Sequence, residues 1–306
     1  MLVAKNTTGN FDNVRISKPV SQVMLKGTIP VTSTPIDAFK KIIVTVRHID
    51  ANTSHTMELV PQMTLYDLMC MTMVRKGYGI MGLKKISGGS AYAVYEMPIM
   101  VSTGGGAVSL NNDRYLTVTV ENGAGSDSAV ANNFEIYGIE SQMITTTRVN
   151  KYTRQFLPVG EKQRDFVITT QKALYMNPQY HYESVGSVSG STLKTGVLTE
   201  VMLSCKNNST PIYTPAELAT LAREQNDLIG VDSDVLEVAY ETTGGQDSVS
   251  FSNYRGSAGT VLIPCIAEDG SQTVFRVLVK TDGTSAYEFF TLDWYDIVTG
   301  GYVANN

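Results

Sequence analysis

A chain of 306 residues is long enough for two domains of about 150 residues, each with its own core. Hydrophobic residues make up 42% and charged residues 17% at a net charge of −5, and the 26 glycines and 16 tyrosines favour many strands joined by tight turns over a helical bundle. No apolar run approaches the roughly 20 residues that cross a bilayer, and the N-terminus MLVAKNTTGN lacks the apolar segment of a secretory signal, so we expect a chain folded in a cytoplasm.

The charge is unevenly distributed along the chain. Residues 1–85 hold eleven Lys or Arg against five Asp or Glu, residues 141–172 hold six against two, and the remainder from 173 holds six against sixteen. The basic segments are either solvated surface or a face toward an anionic partner such as lipid or nucleic acid.

The first half contains strand signals and one helix signal. Runs rich in β-branched and aromatic residues span 40–49, 91–101 and 114–122, with glycine-rich turns between them. The segment MTLYDLMCMTMVRKG, residues 63–77, predicts a helix in which Thr64 is the N-cap and Asp67 closes a carboxylate variant of the capping box.

The second half repeats this order. A strand run at 196–205 precedes YTPAELATLAREQN, residues 213–226, where Thr214 can cap, Pro215 takes the first helical position and Glu217 completes the capping box. Four further strand runs follow, at 235–241, 260–267, 273–280 and 286–298.

The two capping threonines are 150 positions apart, about half the chain, which indicates a duplicated domain. With about eight short strands and one helix per half and no βαβ alternation, we predict an all-β protein of two tandem eight-stranded antiparallel jelly-roll sandwiches, each with one short inserted helix. The expected divisions are an N-terminal arm (1–10), a first jelly roll (11–143), a second jelly roll (144–300) and a C-terminal tail (301–306). Each helix is expected to cover a sheet edge.

Two consecutive Asp-Gly pairs do not fit a strict jelly roll. Asp269-Gly270 and Asp282-Gly283 both have the composition of tight hairpin turns, which predicts a three-stranded meander. A strict jelly roll sends one of those connections to the other sheet, so the strand order of the second domain stays open.

Candidate catalytic or metal-binding residues are few. His48, His55 and His181 are too scattered for a metal site and are interpreted as surface or loop residues. A weak calcium candidate is formed by Asp232, Asp234 and Glu237, which lack the full loop pattern.

A pair of carboxylates, Asp293 and Asp296, flanks Trp294, as a glycosidase on a β-sandwich could require. Cys70, Cys205 and Cys265 lie in apolar runs and are expected to be buried free thiols. We therefore expect no enzyme, no metal and no cofactor.

Two segments carry a resemblance to a known family. KKIIVTVRHIDANTSHTMELVPQMTLYDLM and RVNKYTRQFLPVGEKQRDFVITT resemble segments of the double jelly-roll major capsid proteins of icosahedral, membrane-containing bacteriophages, of the corticovirus and finnlakevirus type. The first segment resembles the strand, loop and helix of the first barrel in such proteins. The second segment resembles the basic linker that enters their second barrel. The resemblance implies a homotrimer whose six jelly rolls form a pseudo-hexagonal capsomer above an internal membrane.

The resemblance also implies partners and a location. The partners would be neighbouring capsomers, minor capsid or penton proteins, and the internal lipid membrane or its proteins, with no specific nucleic-acid sequence. The protein would be made in the host cytoplasm and reside in the virion capsid. The inner-face or lipid-contact candidates are Lys5, Arg15, Lys18 and Lys26. These four basic residues share the first 30 positions with a single acidic residue, Asp12.

Two other classes of protein remain open at this point. A receptor- or carbohydrate-binding viral β-sandwich, such as a spike or adhesin, explains the strands and tyrosines but not the two matched halves. A glycosidase explains only the acids beside Trp294.

Overall fold

The computed structural model describes residues 1–30, 41–76, 80–85, 91–104, 106–123, 134–140, 144–176, 181–184, 191–194, 197–205, 212–218, 221, 235–242, 245–252 and 260–304. For residues 29–30, 73–76, 80–85, 91–94, 181–184, 191–194, 235–242 and 245–252 it describes the backbone only. Within these ranges no helix combines the length and the apolar composition needed to span a bilayer.

Among its described residues, the first half contains ten strands and one helix. They are β1 (Leu2–Asn6), β2 (Phe11–Ile16), β3 (Val20–Pro30), β4 (Ile42–Asp50), β5 (His55–Thr64), α1 (Leu65–Lys76), β6 (Ile80–Lys85), β7 (Ala91–Met100), β8 (Ala107–Val108), β9 (Arg114–Asn122) and β10 (Phe134–Glu140).

The second half is also built from strands. They are β11 (Thr145–Thr146), β12 (Arg148–Leu157), β13 (Gln163–Val167), β14 (Ala173–Met176), β15 (His181–Ser184), β16 (Ser191–Lys194), β17 (Leu198–Cys205), β18 (Ile212–Tyr213), β19 (Val235–Thr242), β20 (Gly245–Ser252), β21 (Val261–Pro264), β22 (Val274–Thr281), β23 (Tyr287–Asp296) and β24 (Gly301–Tyr302). Residues 215–218 and 221 are helical.

The same strand order occurs in both halves. The first sandwich pairs a sheet β1-β10-β3-β7 with a sheet β2-β9-β4-β5, and the second pairs β12-β23-β14-β21 with β13-β22-β17-β18. If the eight strands of each sandwich are numbered along the chain, both read 1-8-3-6 in one sheet and 2-7-4-5 in the other. Successive strands therefore alternate between sheets except at one hairpin, which is the jelly-roll connection. The predicted all-β fold of two tandem jelly rolls is confirmed.

The extra strands lie outside these two sets of eight. β6 pairs with β7, and the hairpin β19–β20 of the second half pairs with β6, so the first sheet continues as β7-β6-β20-β19. Both insertions, α1 with β6 and the hairpin, lie between the fifth and sixth strands of their own sandwich.

The chain ends differ from the expected arm and tail. β1 lies within residues 1–10 and is the first strand of the first sandwich, antiparallel to β10, with the Met1 ammonium donating to the Gly138 carbonyl at 2.8 Å. β24 lies within residues 301–306 and pairs with β23. The alternation in LVAKN was too short to distinguish a strand from an arm in the sequence.

The meander expected from the Asp-Gly pairs is wrong, because both turns lead from one sheet to the other. β21 and β23 belong to one sheet and β22 to the opposite one. Each turn has an aspartate oxygen accepting from a backbone N–H two residues on, at 2.8 Å, and a glycine at positive φ, +84° for Gly270 and +78° for Gly283. Such residues reverse the chain tightly but do not determine which sheet the next strand enters.

The cores follow strand alternation. In β10, Phe134 and Ile136 are buried while Glu135 and Tyr137 between them are only partly covered. All three cysteines are free thiols; Cys70 and Cys265 are buried and Cys205 is partly buried. Burial raises the pKa of the Cys265 thiol to about 12.

Candidate interaction surfaces

Both helix starts have a capping threonine, and the second has both reciprocal bonds of a capping box. Thr64 Oγ1 accepts from the Asp67 N–H at 3.0 Å and donates to Asp67 Oδ2 at 2.5 Å. Thr214 Oγ1 accepts from the Glu217 N–H at 3.3 Å, and Glu217 Oε2 accepts from the Thr214 N–H at 2.7 Å. The rest of the second predicted helix, beyond residue 221, lies outside the described residues.

The first two turns of α1 are buried on more than one side. Leu65, Tyr66, Leu68, Met69 and Met71 are each at most 4% exposed, although they cover more than one face of the helix. Such a helix must be covered by more than its own sandwich. One side of α1 packs on β4, β5 and β7 of its own sandwich, and the helix also lies against β21 of the second sandwich.

The covering surface on the second sandwich is the outer face of the sheet β12-β23-β14-β21, the side that points away from that sandwich's own core. Cross-strand neighbours form rows across this face. One row is Tyr152, Leu292, Ala173 and Pro264, and the next is Arg154, Phe290, Tyr175 and Leu262. Apart from Pro264, which is exposed, the apolar side chains of these rows belong to the hydrophobic cluster of α1 or pack against it, and β12 lies along β5. The β5–α1 edge of the first sandwich therefore spans this face from β12 to β21.

A buried asparagine holds the two sandwiches together. Asn150, on β12 and 1% exposed, donates through Nδ2 to the Ser102 carbonyl at 2.6 Å and the Met100 carbonyl at 3.2 Å, and its backbone N–H donates to the Val101 carbonyl at 2.8 Å. This role of Asn150 was not predicted from the sequence. An asparagine within a strand run, where the residue type is depleted, was the available signal.

The equivalent outer face of the first sandwich has the same layout of rows. Across β1, β10, β3 and β7, one row is Leu2, Tyr137, Met24 and Pro98, and the next is Lys5, Glu135, Lys26 and Glu96. The order of strands and the direction of each strand match the second sandwich, so Pro98 corresponds to Pro264 and Lys5 to Arg154. Leu2 is 48% exposed.

The second of these rows is a ladder of alternating charge. Lys5 Nζ lies 2.9 Å from Glu135 Oε1, and Lys26 Nζ lies 2.5 Å from Glu96 Oε1. Tyr137 donates to Glu135 Oε2 at 2.5 Å, and the hydrogen bond from Lys5 lowers the pKa of Glu135 below its usual range. Two of the four basic candidates are thus paired with acids on this face.

The other two basic candidates lie elsewhere. Arg15, on β2, places its guanidinium 4.0 Å from the centre of the Tyr115 ring and donates to the Asn112 carbonyl. Lys18 is exposed in the connection from β2 to β3. Lys5 and Lys26 therefore share one face, whereas Arg15 and Lys18 belong to the β2 edge of the opposite sheet.

The two acids beside Trp294 do not form a catalytic pair. They are three residues apart in β23 and so lie on opposite faces of the strand. Asp293 is buried, which raises its pKa, and accepts from Thr170 Oγ1 at 2.6 Å. Burial opposes ionisation of Asp296, but hydrogen bonds from the Thr299 and Val298 N–H groups and from Thr147 outweigh it and lower its pKa. The glycosidase alternative loses the residues on which it rested.

The expectation of surface histidines is wrong for His48. Even-numbered residues of β4 face the core, and His48 is 1% exposed. Burial lowers its pKa to about 4, while the nearby Asp50 carboxylate acts in the opposite direction. His55, the first residue of β5, is exposed, and the His181 side chain lies outside the described residues.

The calcium candidate cannot be placed from its side chains. Asp232 and Asp234 lie outside the described residues, and Glu237 is described only by its backbone, in β19. Among side chains that are described, no three His, Cys, Asp or Glu residues group as metal ligands.

No protein-family model matches the chain, and no curated protein matches it. Among solved structures, the chain is similar to the crystal structure of the major capsid protein P2 from Bacteriophage PM2, with a TM-score of 0.37 and 8% identity over 99% of each chain. It is also similar to that of the mavirus major capsid protein, with a TM-score of 0.33 and 6% identity over 99% of this chain and 88% of that one. Both are major capsid proteins, the class named by the sequence resemblance. The assignment of the fold rests on the strand order of this chain.

Proposed function

We propose that the chain is a structural major capsid protein. Three copies would form a pseudo-hexagonal capsomer of an icosahedral virion that encloses an internal membrane. One observation carries the proposal: the same eight-stranded sandwich occurs twice, and the helix-bearing edge of the first packs on the outer face of the second. Three chains then supply six similar lobes, and six lobes packed head to tail can close into a ring.

The proposed function consists of shape and contact, without turnover. The residues that raised an enzymatic alternative contribute to the fold, since Asp293 accepts a hydrogen bond within the second sandwich and Asp296 organises the turn after β23. We place the division between the sandwiches near residues 143 and 144, with β1 in the first unit and β24 in the second. The remaining partners would be neighbouring capsomers and minor or penton proteins.

The contact with the internal membrane is a separate part of the proposal. Arg15 and Lys18 are the better lipid-contact candidates, because Lys5 and Lys26 already pair with acids. Each cation near an anionic bilayer contributes on the order of 1 kcal/mol, and less at high salt. The double variant Arg15→Gln/Lys18→Gln should float less with anionic vesicles than the parent chain. Arg276→Gln/Lys280→Gln, which removes two cations paired with Asp165 and Glu200, is the matched control. Equal flotation of both variants would contradict this contact.

Assembly is tested on the purified full chain. Native mass spectrometry at micromolar concentration should give a homotrimer, and electron microscopy should show capsomers with a hexagonal outline. An obligate interface of this kind buries at least about 2,000 Å². A stable monomer that remains single at high concentration would overturn the capsid proposal.

A further inference from the structure

The two outer faces described above differ in what covers them. On the second sandwich, Tyr152, Leu292 and Ala173 of one row are 7%, 4% and 7% exposed, because the β5–α1 edge of the first sandwich lies over them. On the first sandwich, the equivalent row presents Leu2, Tyr137 and Met24, with Leu2 48% exposed and the other two partly covered. At the first three positions, an apolar row in the same place and register is thus buried in one sandwich and accessible in the other, whereas at the fourth position Pro98 is buried and Pro264 is exposed.

The complementary edge is accessible as well. In the second sandwich, β18 and the helical turn at 215–218 correspond to β5 and α1. Ile212 is 52% exposed, and Ala216, which takes the place of the 3% exposed Tyr66 relative to the capping threonine, is also exposed. Within the described part of the chain, one face therefore lacks the edge that covers its counterpart, and one edge lacks the face that covers its counterpart.

We infer that the outer face of the first sandwich is a docking surface for a second copy of this chain, and that the occupant is the β18–helix edge of that copy's second sandwich. The inference deepens the proposed capsid function and rests on it. Within one chain, β5 lies along β12 and α1 lies against β21. The equivalent arrangement between chains places β18 along β1, with Ile212 toward Leu2, and the second helix against β7.

The chemistry of the two partners supports a protein edge as the occupant. The apolar row gives the non-directional part of the contact, because the removal of apolar surface from water favours association. The adjacent ladder of Lys5, Glu135, Lys26 and Glu96 is internally neutralised, so covering it leaves no net charge to be compensated by the partner. A strongly charged face would instead favour an anionic or cationic ligand.

The number of chains in the assembly follows from the way in which the contact between sandwiches repeats. The contact is heterologous, because a face of one sandwich meets an edge of the next. Heterologous contacts build either a closed ring or an open fibre, depending on the rotation at each step. Each chain contributes one internal contact and one contact between chains, so a ring of six sandwiches contains three chains.

Substitutions on the two partners test the inference in the full chain. Met24→Asp on the face and Ile212→Asp on the edge should each weaken the trimer by at least about a hundred-fold, because the carboxylate would be buried at the contact. Val159→Asp, on a residue that is 67% exposed in the loop between β12 and β13, is the matched control and should leave the trimer intact. Native mass spectrometry measures the trimer fraction, and circular dichroism verifies the fold of each single chain.

A cross-link tests the pairing itself and does not depend on disruptive variants. With a short bismaleimide, the double variant Leu2→Cys/Ile212→Cys should give covalent dimers and trimers, whereas each single variant, which retains the three native cysteines, should not. A parent trimer that survives both aspartate substitutions, or a trimeric double-cysteine variant that yields only monomer bands, would overturn the docking surface while leaving the capsid proposal standing. A monomeric parent chain would overturn the capsid proposal first.

Discussion

Tyr66 and Ala216 occupy the same position in two helices that begin with the same type of cap, yet their surroundings differ. Tyr66 is 3% exposed, because α1 lies between its own sandwich and the second one, whereas Ala216 is exposed. The neighbouring residues follow the same pattern, since Leu218 is fully buried against its own sandwich like Leu68, but the side that faces away is open. The burial of the inner side of each helix depends on its own sandwich, whereas the burial of the outer side depends on whether a second sandwich packs against it.

The side-chain chemistry of the two helices reflects this difference. The first helix presents a tyrosine, and methionines and leucines on several sides, to an interface that already exists within the chain. The second presents Thr214, Ala216 and Glu217 at its exposed start. An interface within one chain forms as the chain folds. A surface that binds another chain is exposed to water until that chain arrives, and the single chain must stay soluble in the meantime. A smaller and more polar helix start is consistent with that requirement.

The largest expected difference concerns equivalent residues on the two outer faces. Leu292→Ala removes a side chain that is 4% exposed and should lower the free energy of unfolding by about 2–5 kcal/mol. Tyr137→Ala, at the matching place on the first sandwich, should cost about 1 kcal/mol or less in the single chain, since Tyr137 is only partly covered. Urea titrations of both variants under conditions that populate single chains measure the two values. Equal losses would show that the faces are not differently covered.

The next largest difference between the two sandwiches should be the effect of acid on stability, which in the first sandwich depends on His48. Its pKa is about 4 in the fold against 6.5 for the free side chain, so the unfolded chain takes up a proton first as the pH falls. The contribution to stability is therefore complete above about pH 6.5 and is lost as the pH falls toward about 4. The loss between about pH 7 and pH 4.5 should be roughly 2 kcal/mol.

The control for this acid effect replaces the imidazole. His48→Leu keeps an apolar side chain in the same buried place, so the difference between the stabilities of this variant and the parent should change by that roughly 2 kcal/mol over the same pH range. The titratable neighbours of His48, which are Asp50 on the same strand and His55 and Arg114 on the adjoining strands, remain present in both proteins. Asp293 in the second sandwich has a raised pKa and acts with the opposite sign, because acid neutralises a carboxylate whose burial is unfavourable. A parallel pH dependence of parent and variant would refute the role of His48.

How far the sequence predicts this molecule depends on the range of the interactions involved. Both caps were predictable, because Thr64 and Thr214 each make their bonds within three residues along the chain. The strands were predictable from period-two alternation, and the repeated order of strands and helix led to two tandem sandwiches. His48 could have been assigned to the core by the same alternation, since Ile42, Val44 and Val46 have its parity.

The remaining features depend on contacts between distant segments. Asp269-Gly270 and Asp282-Gly283 specify a reversal of direction, but the sheet that the next strand joins is decided by packing against strands far away in sequence. The correspondence between the row of Leu2, Tyr137 and Met24 and the row on the second sandwich appears only when the register across β1, β10 and β3 is known. A shift of one residue in any strand would move its side chains to the other face, and the sequence alone does not exclude it.

The smallest expected effect compares the two caps directly. Thr64→Ala removes the oxygen that accepts from the Asp67 N–H, in a helix buried between the sandwiches, and should cost about 1–2 kcal/mol of unfolding free energy. Thr214→Ala removes the same bond from the Glu217 N–H at the exposed edge, where water can replace the lost oxygen, and should cost about 0.5–1 kcal/mol in the single chain. Thr64→Ser and Thr214→Ser, which keep the hydroxyl, should be close to the parent. If the edge is covered by a second copy, the cost of Thr214→Ala should rise toward that of Thr64→Ala when unfolding is measured from the trimer. A difference between the two caps that is the same in single chains and in trimers would mean that the second helix gains no neighbour on assembly.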